Sequence, residues 1–327
     1  MTPAPEEAST PSPADDGRTI LGHALGPALR EQLAGRLGGI RWFRTDWQRS
    51  GAATGRARWT GSSGASTEVV VKLPVSEREY RWLDRLQSAP EPLPVPRLLA
   101  SGHAIGGYEL AWVVIEHLPF GPLGTHWRDD HLLRTTEAAA RFQAAAAVHP
   151  IDRPERRENW EDLLKRSRSA VRGQGLGQAT RWRRILKSVA RHLDAIVEEW
   201  QARSPIAWIH GDLHLANGMT RDPGGDGPVV LIDLADVRPG HWVEDAVYLE
   251  RLHWARPERL QGRNPVRLLA TARRRLGLEV DEDHPRLADL RRILIAACAP
   301  AFLKTEGVPS YLDAALDRLE RGLRRLA

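Results

Sequence analysis

The residues best suited to chemistry sit in one short run, His210-Gly211-Asp212-Leu213-His214-Leu215-Ala216-Asn217, followed by Leu231-Ile232-Asp233 at the end of an apolar segment. Phosphoryl transfer needs a carboxylate that orients the attacking hydroxyl and two oxygen ligands for a Mg²⁺ ion bridging the phosphates. Asp212 supplies the carboxylate and Asn217, five residues on, supplies one ligand. Asp233, just past a strand, supplies the other. His-Gly-Asp alone is weak, because buried His–Asp pairs are common in cores. The full pattern H-x-D-x-x-x-x-N, a strand-terminal Asp and the upstream strand lysine Lys72 in Val69-Val70-Val71-Lys72-Leu73 is far more specific.

Elements must hold these groups in place. Residues 1–18 are rich in Pro, Ser, Ala and acid and lack large apolar side chains, so they are expected to form a disordered tail. From about 20 to 118 the pattern is strand-rich with one helix. Gly55–Thr60, Glu68–Leu73 and Trp112–Leu118 read as strands. Ser76–Leu86 reads as a helix with Ser76 as N-cap and Glu79 completing a capping box. After Pro119-Phe120-Gly121-Pro122 the chain turns helical, over about 130–148, 155–172, 178–202 and 243–325. The irregular stretch Trp208–Thr220 and a short strand at Val229–Ile232 interrupt the helices. The fold class is α+β: a small β-rich lobe at 19–118 and a larger helical lobe at 119–327.

HGDLHLAN followed by VVLIDLADVRPGHWVED resembles the aminoglycoside phosphotransferase family and its choline-kinase-like and homoserine-kinase-like relatives, over essentially the whole chain after the tail. The resemblance implies a two-lobed protein-kinase-like fold and a small-molecule kinase using ATP, or GTP, with Mg²⁺. It implies that Asp212 orients the acceptor hydroxyl, that Asn217 and Asp233 bind Mg²⁺, and that Lys72 holds the α- and β-phosphates and is fixed by Glu79. The adenine would meet the backbone at Glu116, His117 and Leu118. The phosphate-covering loop would lie near Ser50 and Gly51, in a stretch with fewer glycines than the protein-kinase loop. The resemblance matches Asp236 and Asp245 to two acidic positions of the family. With Glu244 and Trp242 they are the candidate acceptor-side residues, although Asp236 and Asp245 could equally cap or brace helices and Trp242 reads more readily as packing. His210 and His214 are expected to brace the loop. Asp233-Leu234-Ala235 in place of D-F-G argues against a protein kinase with a regulated activation loop.

Composition bounds the alternatives. A single cysteine, Cys298, excludes an internal disulfide, and any zinc site would need His and carboxylates alone. The apolar run Ile293–Leu303 is too short to span a bilayer, and no secretory signal is visible, so a cytoplasmic protein with no membrane partner is expected. The net charge of +5 is spread over Arg-rich helices interleaved with acids, and no nucleic-acid motif accompanies it. The expected partner is a small hydroxyl compound: a sugar, a metabolite alcohol or an aminoglycoside. The expected state is a monomer. A metal-dependent phosphoesterase built on His210, Asp212, His214 and Asp233 would leave Lys72 unexplained. A catalytically silent kinase-like nucleotide-binding module is the main alternative.

Overall fold

The computed structural model describes residues 16–43, 52–125, 127–155, 157–173 and 175–326. They form two compact units, one from the described part of Met1–Gln87 with Pro96–Leu118, the other from Ser88–Val95 with Pro119–Ala327. The first holds helices α1 (Asp16–Gln32) and α2 (Glu77–Arg85) and strands β1 (Arg41–Phe43), β2 (Ala53–Thr60), β3 (Ser66–Leu73), β4 (Leu98–Gly102) and β5 (Trp112–Glu116). The strands form one antiparallel sheet in the order β1-β2-β3-β5-β4.

Period-two alternation along β3 sends Val69, Val71 and Leu73 to one face, where they join Ala57, Trp59 and Trp112 in a core. Lys72 belongs to the opposite face, paired in register with Thr54 on β2 and Val113 on β5. The core face is covered by Leu25 and Leu29 of α1. This helix departs from the sequence reading in two ways. It adds a second helix to the lobe, and it starts at Asp16, inside the expected tail; residues 1–15 lie outside the described residues. Gly22, Gly26 and Pro27 hide its helical character, since both residue types are poor helix formers. Gly22 has a packing role: a Cβ there would stand 2.8 Å from the Trp42 indole.

The second unit contains α3 (His131–Ala146), α4 (Trp160–Gly173), α5 (Ala179–Gln201), α6 (Val243–Arg251), α7 (Pro265–Arg275), α8 (His284–Cys298), α9 (Leu303–Glu306) and α10 (Pro309–Leu326). Its short strands are β6 (Ala207–Ile209), β7 (Gly218–Thr220), β8 (Val229–Leu231) and β9 (Arg238–Gly240). The helices bury regular stripes. On α5, Trp182, Leu186, Val189, Leu193, Ile196 and Trp200 follow one another at three- and four-residue steps and are all buried. The Pro-rich segment Ser88–Val95, which the sequence reading runs into the first lobe, packs instead with this unit. Pro94 O accepts from Leu231 N at 2.8 Å, and the Arg221 guanidinium donates to Leu93 O and Val95 O at 3.0 and 2.9 Å.

The strands pair as two antiparallel ribbons, β6 with β9 and β7 with β8. The chain crosses between them twice, at residues 210–217 and again at 232–237. Both loops singled out by chemistry therefore have both ends clamped by the same two ribbons.

Packing in the first unit is tight where β2 passes β1. A Cβ on Gly55 would fall 2.5 Å from Ile40 Cγ2 and 2.9 Å from Trp42 Cε3. Gly55→Ala should therefore destabilise the protein by about 1–3 kcal/mol, read as a lower denaturant midpoint. An unchanged midpoint would show that this crossing is loosely packed.

Candidate active site

The loop 210–217 is fixed by its backbone before any ligand arrives. Asp245, near the start of α6, accepts from His210 N through Oδ2 and from Gly211 N through Oδ1, both at 2.9 Å. The Asp245 carboxyl is buried, and burial pushes its pKa up against the pull of these two N–H groups. The fully buried His210 ring accepts from Asp212 N at Nδ1 (3.3 Å) and lies 3.0 Å from Ile232 O at Nε2. Those partners assign the proton to Nε2, which donates to Ile232 O. One imidazole thus ties the backbone of Asp212 to the residue preceding Asp233. Gly211 has φ +82°, and a Cβ there would fall 2.3 Å from Asp236 O and 2.5 Å from an Arg238 guanidinium nitrogen, so only glycine fits.

Asp212 is surrounded by donors. His214 Nε2 lies 3.2 Å from its Oδ2, and Asn217 Nδ2 donates to its backbone O at 3.0 Å and its Oδ2 at 3.2 Å. The Tyr248 ring lies over the His214 imidazole, with centroids 6.5 Å apart. Burial pushes the Asp212 carboxyl up, but the neighbouring His214 outweighs it and holds the carboxyl well below the usual carboxylate range.

Asn217 is buried, and its NH₂ is committed to Asp212, so its side-chain carbonyl oxygen is the atom left to bind a cation. Its backbone O accepts from Ile232 N at 3.0 Å, which sets Asn217 beside Asp233. Asp233 has φ 62°, ψ 70°, a left-handed conformation in which Asp is tolerated at some cost. The donor set is two hard oxygens from neighbouring backbones. Among the described residues there is no cluster of three or more His, Cys, Asp or Glu ready to hold a metal unaided. That suits Mg²⁺, which takes one or two protein oxygens and completes its shell with phosphates and water.

In the first unit, Lys72 Nζ lies 2.7 and 2.9 Å from the two Glu79 carboxylate oxygens, and both residues are buried. Ser76 Oγ accepts from Glu79 N at 3.1 Å, so the cap is present while the Glu79 side chain reaches to Lys72. Glu116 Oε1 accepts from Arg97 N at 2.8 Å, and Glu116 N donates to Arg97 O. His117 N donates to Glu68 O, and burial followed by Arg56 pushes the His117 ring pKa down. Leu118 is buried. Ser50 and Gly51 lie outside the described residues.

The acceptor-side expectations fare differently. Asp236 is half-exposed and pairs with Arg157 at 2.8 Å. Trp242, Glu244 and Asp245 are instead buried and engaged within the unit. Trp242 packs between the His241 and His284 rings. Glu244 accepts from Arg203 at 3.0 Å and Arg238 at 3.1 Å; burial pushes its carboxyl up, but these arginines and Arg291 hold it down. Of these, Asp245 holds the loop 210–217 through its backbone, while Glu244 holds Arg203 and Arg238 and Trp242 packs against histidine rings. Tyr248 was not anticipated, although it stands one helical turn after Asp245 on the same face of α6.

A model of the phosphotransferase enzyme family matches residues 49–290. No match is found among curated proteins. Among solved structures, a candidate aminoglycoside phosphotransferase from Ralstonia eutropha JMP134 is 16% identical with a TM-score of 0.56, covering 91% of this chain and 97% of its own. An aminoglycoside phosphotransferase from Alicyclobacillus acidocaldarius is 16% identical with a TM-score of 0.53 and 89% coverage of both chains. A thermostable mutant of aminoglycoside phosphotransferase APH(4)-Ia, solved with AMP-PNP and hygromycin B, is 17% identical with a TM-score of 0.51, covering 91% of this chain and 97% of its own. At these identities the likeness is one of fold, and it agrees with the two-lobed α+β reading.

Asp245→Ala would orphan two buried N–H groups and should cost about 2–4 kcal/mol in unfolding free energy. A loss below about 0.5 kcal/mol would mean that Asp245 does not hold the loop.

Proposed function

The chain belongs to the phosphotransferase enzyme family, and from that premise we propose that it moves the γ-phosphoryl group of ATP, or of GTP, to a hydroxyl of a small molecule. The observation that carries this is the convergence of Asp212, Asn217 and Asp233, joined by the Asn217 amide and by the Ile232–Asn217 backbone bond. Asn217 Oδ1 and the Asp233 carboxylate would hold Mg²⁺, which when bound bridges phosphate oxygens and offsets their charge. Lys72, set by Glu79, would hold the α- and β-phosphates, the backbone at Glu116–Leu118 would take the adenine, and Ser50 and Gly51 would cover the phosphates. A fold neighbour solved with AMP-PNP and hygromycin B together is in keeping with a site that takes a nucleotide and a small molecule.

Asp212 acts chiefly by orientation. A carboxylate held below its usual range has little appetite for a proton. Phosphoryl transfer passes through a loose transition state in which little covalent help is required, so aiming the hydroxyl oxygen is the larger contribution. The acceptor oxygen bonds to the γ-phosphorus as the bond to the departing nucleoside diphosphate breaks, and the hydroxyl proton passes late to an oxygen of the transferred phosphoryl group and from there to solvent.

For the acceptor, the arrangement favours a neutral or anionic alcohol over a polycation. Each ammonium group of a cationic antibiotic needs a carboxylate when desolvated. Glu244 and Asp245 are spent inside the fold, and Asp236 already carries Arg157.

The test is ATP consumption with Mg²⁺ across sugars, hydroxy amino acids, choline-like amines and aminoglycosides. Turnover on one class, reduced roughly 10²–10⁴-fold by Asp212→Asn with nucleotide affinity retained, supports the assignment. Asp233→Ala should instead weaken Mg²⁺–nucleotide binding. Full turnover by Asp212→Asn would remove Asp212 from the mechanism. Tight Mg²⁺–ATP binding without turnover on any acceptor would favour the silent module. Because Asp212 stays ionised as pH falls, turnover should show no acid limb from this group between about pH 5 and 8. A limb there that Asp212→Asn abolishes would contradict its role as an ionised positioner.

A further inference from the structure

Of the three acidic acceptor-side candidates, only Asp236 keeps its carboxylate open. Glu244 and Asp245 are buried, whereas the Asp236 side chain is 54% exposed. The Asp236 backbone abuts the residue before Asp212, since a Cβ on Gly211 would fall 2.3 Å from Asp236 O. An acceptor whose hydroxyl reaches Asp212 therefore carries its other groups close to Asp236. In the fold that carboxylate is already met by a cation: Arg157 Nη1 donates to Asp236 Oδ1 at 2.8 Å. The two residues are 79 positions apart, and Arg157 comes from the segment joining α3 to α4. This segment is anchored on both sides of the arginine. Before it, His149 O accepts from Trp208 Nε1 at 3.3 Å. After it, Glu158 accepts from the buried Arg291 at 2.7 Å, and the Arg291 guanidinium lies over the Trp160 and Trp200 rings. Glu155 accepts from Arg157 Nε at 3.0 Å. The Arg157 head is thus held between two carboxylates, one from its own segment and one beside the catalytic loop.

We propose that Arg157 is a specificity-determining residue that selects against cationic acceptors by occupying Asp236; the inference rests on the phosphotransfer reading above. An ammonium group brought beside Asp212 needs a carboxylate once its water is stripped. Asp236 is the candidate placed to supply one, and Arg157 already takes an oxygen of it. The newcomer must displace the guanidinium or lie beside its like charge. A neutral or anionic alcohol needs neither the carboxylate nor the displacement. Both partners are partly exposed, at 31% for Arg157 and 54% for Asp236, and exposed ion pairs are individually weak. The discrimination from this one pair is therefore a matter of several-fold, set by a single removable charge.

Calorimetric titration with kanamycin, neomycin and hygromycin B reads acceptor affinity without requiring turnover. Arg157→Ala should bind at least one of them roughly three- to tenfold more tightly than the wild type, and the gain should shrink as salt is raised. Adding Asp236→Asn to Arg157→Ala should abolish the gain, because the released carboxylate is then gone. Arg157→Lys, which keeps the charge, should show little of it. No gain with any of the three compounds in Arg157→Ala would overturn the proposal. So would a gain that survives Asp236→Asn, or one that Arg157→Lys reproduces in full, since either would mark a loosened segment instead of a released carboxylate. Wild-type turnover across the acceptor panel bears on the phosphotransfer reading separately. Its absence sinks that reading, whereas turnover on a neutral alcohol with unchanged aminoglycoside affinity in Arg157→Ala sinks only the role of Arg157.

Discussion

A buried carboxylate under the loop is the constraint on which the site depends. Asp245, itself buried, accepts two consecutive backbone N–H groups, from His210 and Gly211. With those bonds in place the His210 ring joins Asp212 N to Ile232 O, and the second loop is drawn to the first. Each later relation follows: Asn217 turns its amide to Asp212, its carbonyl is left for a cation, and Asp233 stands beside it. The cost of the left-handed conformation of Asp233 is held by the two ribbons that clamp both ends of both loops.

Much of this was legible in the sequence because the chemistry restricts residue types over short spans. Asp212, Asn217 and Asp233 are set by a loop pattern and a strand end, and the alternation in Val69–Leu73 puts Lys72 on the face away from the core. The two-lobed α+β architecture followed from strand-like runs before Pro119 and helical ones after it. What was hidden depends on tertiary packing. Glu244 and Asp245 look solvent-facing by residue type, yet both are buried and engaged inside the unit, and burial is not written in a local pattern. Tyr248 becomes visible only once α6 is known to lie against the loop; its three-residue step from Asp245 was the available clue. Helix α1 was masked by Gly22, Gly26 and Pro27, whose low propensity is overridden by packing against the sheet.

Electrostatics inside the second unit set the character of the site. Glu244 is held ionised by Arg203 and Arg238, and Arg238 also walls the space beside Gly211. Asp212 is kept ionised chiefly by His214. Under the proposed function the site would offer a preset negative charge to the acceptor and an oxygen pair to a metal, with little reorganisation left for the moment of reaction.

The central claim is that Asn217 and Asp233 form half of a metal site that nucleotide phosphates complete. Calorimetric titration of ATP with and without Mg²⁺ tests it most directly. The account predicts weak binding of Mg²⁺ alone and ATP binding that tightens markedly when Mg²⁺ is present. ATP binding of equal strength with and without Mg²⁺ would contradict it.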